Sequence, residues 1–128
     1  MRLLIDTHSF LWFINDNAQL SHNARQLIED GGNEILLSVA SLWEIAIKMS
    51  IGKLNLGQPF PELFPRQLQV NRIQLLSITL DHLSVVATLP LHHRDPFDRL
   101  LIAQATVEQV PVVGVDAAFD AYGVNRLW

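Results

Sequence analysis

Four short apolar runs, each followed by a helix-like stretch, constrain this chain most. Arg2 to Asp6 (RLLID) reads as a buried strand ending in a carboxylate, and Glu34 to Ser38 (EILLS) as a second. Arg72 to Ile78 reads as a third, and Pro111 to Val115, ending at Asp116, as a fourth. Between them lie helical segments with recognisable ends. Ser21 is placed to cap a helix running to about Asp30, closed by Gly31-Gly32. Ser38 or Ser41 opens SLWEIAIKMS, and Thr79 can cap LDHLSVVAT. His8 to Ile14, Glu62 to Val70 and a short turn from Ala117 to Tyr122 also read as helical, and Val124 to Leu127 as a last strand. Strands alternating with helices imply an α/β fold in three layers, a central, mainly parallel sheet flanked by helices.

The 128 residues make one domain, 1–128, with no repeat or linker to divide it. An apolar fraction of 49% supplies a core without staples. No cysteine is present, so a metal site here must use oxygen or histidine ligands. No stretch approaches a membrane span, and an aspartate at position 6 comes too early for a signal peptide, so a cytoplasmic location is expected. The formal charge of −4 argues against gripping nucleic acid through bulk positive charge.

Parallel sheets bind ligands at the carboxyl ends of their strands. Asp6 and Asp116 fall at two such ends. Glu44 lies about a turn into the helix after the second strand, and Asp98 in the first turn of the helix that starts at Pro96. All four share one edge. Their neighbours are almost all apolar, where carboxylates are costly unless paired or metal-bound. Gathered acids also repel one another, and a divalent cation relieves both problems. Hard ions such as Mg²⁺ and Mn²⁺ prefer carboxylates and water, and can activate water against a phosphodiester.

The segments LIDTH, SVASLWEIAIK followed by GKL, HHRDPFDRLLIAQA and VVGVDAAFDAYGV resemble those of PIN-domain ribonucleases, most closely the VapC-type toxins of toxin–antitoxin pairs. The ordered set spans nearly the whole chain. The resemblance implies a PIN fold, Mg²⁺- or Mn²⁺-dependent endonucleolytic cleavage of RNA, inhibition by a cognate antitoxin and a homodimer. It places the acids on Asp6, Glu44 and Asp116, with Asp98 as the third. Asp98 has the family's alanines five and seven positions on, at Ala103 and Ala105, whereas Asp95 does not. Asp95 is instead the natural N-cap ahead of Pro96. Asp6, Asp98 and Asp116 are then the expected metal ligands. Glu44 shares their shell or positions the attacking water. The family often has Thr or Ser two residues before the fourth acid. Gly114 stands there, so a supporting hydrogen bond is expected to be missing.

Plainer roles compete at each position. Asp6 and Asp116 can simply cap helices, and Glu44 can pair with Lys48 four residues on. His92 and His93 are adjacent in a loop and not expected to aim at one ion, which leaves His8 as the histidine nearest the acids. Lys48, Lys53, Arg94 and Arg99 suit either phosphate contacts or surface solubility. Trp12, Trp43 and Phe97 suit core or dimer contacts better than base stacking. A phosphotransfer protein with Asp6 as nucleophile would need features absent here: a second Asp two residues on, or a glycine-rich phosphate loop. A PIN-like module that binds RNA or a partner without cleaving is the remaining alternative.

Overall fold

The computed structural model describes residues 1–128. Five parallel strands, β1 (Arg2–Ile5), β2 (Glu34–Ser38), β3 (Ile73–Leu76), β4 (Val112–Val113) and β5 (Arg126–Leu127), form one sheet in the order β3-β2-β1-β4-β5. Every pairing is parallel. The central strand β1 alternates strictly. Leu3 and Ile5 enter one core and Leu4 the other, and all three are fully buried. A strand buried on both faces has no polar side, which is why RLLI carries no alternation in hydrophobicity.

The first core packs α1 (Thr7–Ile14), α2 (His22–Glu29), α3 (Val39–Ser50) and α4 (Phe60–Val70) onto the sheet through Phe10, Ile28, Ile45 and Phe64. The second packs α6 (Pro96–Glu108) and a 3₁₀ helix (Ala117–Tyr122) onto the other face through Leu101, Ile102, Ala105 and Phe119. Helix α5 (Leu80–Thr88) lies against α6. Residues 100–105 of α6 are therefore all buried, because α6 has the sheet on one side and α5 on the other. Three layers result, as the pattern of runs predicts. No helix is long and apolar enough to cross a membrane.

The expected strands are trimmed at their ends. Strand β3 begins after Arg72, whose φ of 55° is incompatible with a strand. Strand β4 is two residues long: Pro111 before it has no N–H to donate, and Gly114 after it still donates to the Leu127 carbonyl at 3.1 Å. Helix α4 starts at Phe60 and runs through Pro65.

The crossovers place the ends of β1, β2 and β4 and the starts of α1, α3 and the 3₁₀ helix along one edge. The candidate acids sit on that edge.

Candidate active site

Asp6 follows β1 directly. Its N–H donates to the Val113 carbonyl at 3.0 Å, so the sheet fixes its backbone. Its carboxylate Oδ1 accepts the Ser9 N–H at 2.8 Å and caps α1. The capping role and a place in the cluster therefore coexist in one residue. Oδ2 points at Gly114. A Cβ there would lie 2.5 Å from Oδ2 and 3.0 Å from Cγ, so only glycine lets the carboxylate occupy this space. Asp6 is 4% exposed. Burial pushes its pKa above the ordinary value, the charge of Asp116 adds to this, and Ser9 and His8 oppose it.

Asp98 stands in the first turn of α6. Asp95, as expected, is the cap: its Oδ1 accepts the N–H groups of Phe97 at 2.8 Å and Asp98 at 3.0 Å. That leaves the Asp98 carboxylate free to face the cluster. Burial, then the charge of Asp95, raises its pKa from 3.8 to about 6, against the pull of His93, and the charge of Asp6 adds to the rise. Asp116 caps the 3₁₀ helix through the Ala118 N–H at 2.9 Å. Its approach from β4 is pinned by Arg126, whose guanidinium donates to the Gly114 carbonyl at 3.2 Å and grips both oxygens of Asp120 at 2.9 and 3.1 Å. A hydroxyl at position 114 is thus not what steadies this segment.

Glu44 is buried on α3 and bonds Lys48 Nζ at 2.8 Å. Its helix is tied to the edge on both sides. Thr7 Oγ1 donates to Ser41 Oγ at 3.0 Å, and the Trp43 ring meets Phe97 edge-on at 5.2 Å. The i to i+4 pair exists, but with an almost buried carboxylate, unlike the solvated pairs of an ordinary helix surface.

One residue of the site escaped the sequence reading. His93 Nε2 lies 2.9 Å from Asp98 Oδ2 and 3.6 Å from Asp116 Oδ2. His92 is exposed, stacked edge-on against Tyr122 at 5.1 Å, while His93 turns in. His8 is exposed and packs on Trp12 at 5.8 Å. Arg99 takes neither of the two roles weighed for it, phosphate contact or surface solubility. Its guanidinium donates to the carbonyls of Leu89, Pro90 and His93 at 3.1, 3.0 and 3.2 Å, so it holds the 89–93 loop.

These acids fit a hard divalent cation. Carboxylate oxygens of Asp98 and Asp116 lie within 4.8 Å of each other, with His93 beside both. Asp6 and Asp98 carry raised pKa values that mark carboxylates short of positive charge. The oxygen-dominated donor set suits Mg²⁺ or Mn²⁺. Between α1 and the end of α3, a cleft of about 450 Å³ is lined by His8, Trp12, Lys48 and Lys53 among others, and by none of the candidate acids.

A parallel sheet with acids converging at its carboxyl edge defines a class of α/β proteins with a carboxylate site. Within that class the chain belongs to the PIN domain family, whose model it matches over residues 3–125. It is 35% identical over 65 residues to Ribonuclease VapC16 of Mycobacterium tuberculosis, a stretch covering 51% of this chain and 45% of that protein. The chain thus spans about half the length of this curated relative. Its fold is similar to a chain of VapBC2 from Rickettsia felis bound to a promoter DNA fragment, with a TM-score of 0.70 and 16% identity over 99% of this chain and 98% of that one. It is also similar to a chain of FitAcB from Neisseria gonorrhoeae, with a TM-score of 0.59 and 15% identity over 98% and 96%.

Proposed function

We propose that the protein is a metal-dependent endoribonuclease, the toxin of a toxin–antitoxin pair. The observation that carries this reading is the convergence of Asp6, Asp98 and Asp116, each anchored by its own helix N-terminus, at the carboxyl edge of a PIN-domain sheet. The likeness to a VapC ribonuclease supports RNA as the substrate. Asp6, Asp98 and Asp116 hold the ion, and Glu44 shares their shell or orients the attacking water. Bound Mg²⁺ or Mn²⁺ supplies an acidified water and neutralises charge on the phosphodiester. Lys48 holds the Glu44 carboxylate in place through its 2.8 Å bond. Lys53 provides an exposed cation in the cleft between α1 and α3, suited to a phosphate of an RNA strand.

The solved relatives named for VapBC and FitAB assemblies support an antitoxin as protein partner. A homodimer is supported by an apolar stripe on α3. Val39, Trp43 and Ile47, with Ile51 at the C-cap, recur every four residues and are 36 to 59% exposed. A second copy would cover this stripe.

The test is incubation of purified protein with total cellular RNA. Discrete fragments are expected with Mn²⁺ or Mg²⁺, lost with EDTA, restored by added Mn²⁺ and absent with Asp6→Asn. A folded protein that binds RNA but cuts none under any metal would instead establish the non-cleaving module.

A further inference from the structure

The 89–95 loop is fastened more firmly than its exposure requires. The Tyr122 hydroxyl accepts the N–H groups of His92 at 2.9 Å and His93 at 2.8 Å, and donates to the Pro90 carbonyl at 2.7 Å. Arg99 takes three carbonyls of the same loop. Tyr122 belongs to the 3₁₀ helix that Asp116 caps, and Arg99 follows Asp98 on α6. The two acid-bearing helices therefore grip a single loop, and the side chain this loop sends between their carboxylates is His93.

The ring's hydrogen bonds fix its role. Nδ1 accepts the Asp95 N–H at 3.3 Å, so in the neutral ring the proton sits on Nε2. Nε2 then donates to Asp98 Oδ2 and has no lone pair to offer a cation. Asp116 Oδ2 lies beyond hydrogen-bond length but within reach of the same N–H dipole.

We propose that His93 is a positioning residue: held by Tyr122 and Arg99, it donates from Nε2 to orient Asp98 beside Asp116 for the metal ion. This rests on the metal reading above and adds a supporting partner to it, in the way that outer hydrogen bonds orient ligands elsewhere. The imidazole is not itself a ligand. A side-chain amide of suitable length can replace it, and an apolar side chain cannot.

The experiment is titration of Mn²⁺ into the metal-free full chain, followed by calorimetry or by the Mn²⁺ paramagnetic resonance signal. Thermal unfolding of each variant without metal verifies that it is folded. His93→Leu and Tyr122→Phe are expected to raise the Mn²⁺ Kd by roughly 10-fold or more. His93→Gln, which keeps a donor, is expected to stay within about 3-fold of wild type, below the range for a lost supporting partner. A His93→Gln protein as weak as His93→Leu would overturn the positioning role and make the imidazole a ligand. Unchanged Kd in His93→Leu, with Mn²⁺ bound by wild type, would remove His93 from the site altogether. A wild-type protein that binds no Mn²⁺ would instead refute the metal reading itself, and the role of His93 with it.

Discussion

Asp98→Asn is expected to reduce RNA cleavage by more than about 100-fold, since even residues that only support metal ligands are worth roughly 10–100-fold. The same change is expected to stabilise the protein when no metal is present. The Asp98 pKa is raised from 3.8 to about 6, so the folded state holds this proton more tightly than the unfolded chain does. Protonation therefore favours folding. Stability from this group is full near pH 4, is lost as pH rises towards 6, and stays lost above it. Asparagine never ionises and escapes the penalty, while its side-chain oxygen still accepts from His93. Above pH 6 the variant should be more stable by about 1–2 kcal/mol, allowing for partial exposure of the carboxylate, and melt roughly 5 °C higher. Near pH 4 the two proteins should coincide. Saturating Mn²⁺ should reverse the order, because it binds only the folded wild-type site. Thermal unfolding across pH, with and without Mn²⁺, checks each part. Equal melting at every pH would mean that Asp98 is not short of positive charge.

Gly114→Thr is the second large effect, and it runs against the resemblance to the family. Introducing the threonine that the resemblance leads one to expect should harm this protein. The new Cβ would meet Asp6 Oδ2 at 2.5 Å, and the carboxylate has little freedom to yield, since Oδ1 is fixed by the Ser9 N–H. Overpacking of this kind costs about 1–3 kcal/mol. Displacement of a reacting geometry by ~1 Å costs about 100-fold in rate. Gly114→Ala adds the same Cβ and should show most of both losses. Denaturant unfolding and cleavage rates measure them separately. A fully active, fully stable Gly114→Thr would show that Asp6 does not use this space.

Much of this arrangement is legible in the residues. The apolar runs ending at Asp6 and Ser38 become β1 and β2, whose ends define the edge where ligands bind in parallel sheets. The division of labour between Asp95 and Asp98 follows from Pro96, because a proline at the first helical position makes the residue before it the cap. What the sequence conceals is tertiary. The inward turn of His93 depends on the hydrogen bond its N–H donates to Tyr122, 29 residues away, and no local pattern announces it. Arg99 has the position of a phosphate contact, but the loop carbonyls nearby offer it nearer partners. Gly114 reads as a missing hydroxyl until the fold brings Asp6 against it. The ends of β3 and β4 fail to extend as far as the apolar runs, since backbone geometry at Arg72 and Pro111 interrupts the ladder where side-chain hydrophobicity does not.

If these acids form one divalent-metal site, Mn²⁺ can be located in it directly by anomalous diffraction from crystals soaked in the ion. An anomalous peak is expected at the carboxyl edge of the sheet, coordinated by oxygens of Asp6, Asp98 and Asp116 at about 2.0–2.2 Å, close to the distances hard divalent ions adopt. A well-ordered structure with no peak there, or with Mn²⁺ bound elsewhere only, would contradict it.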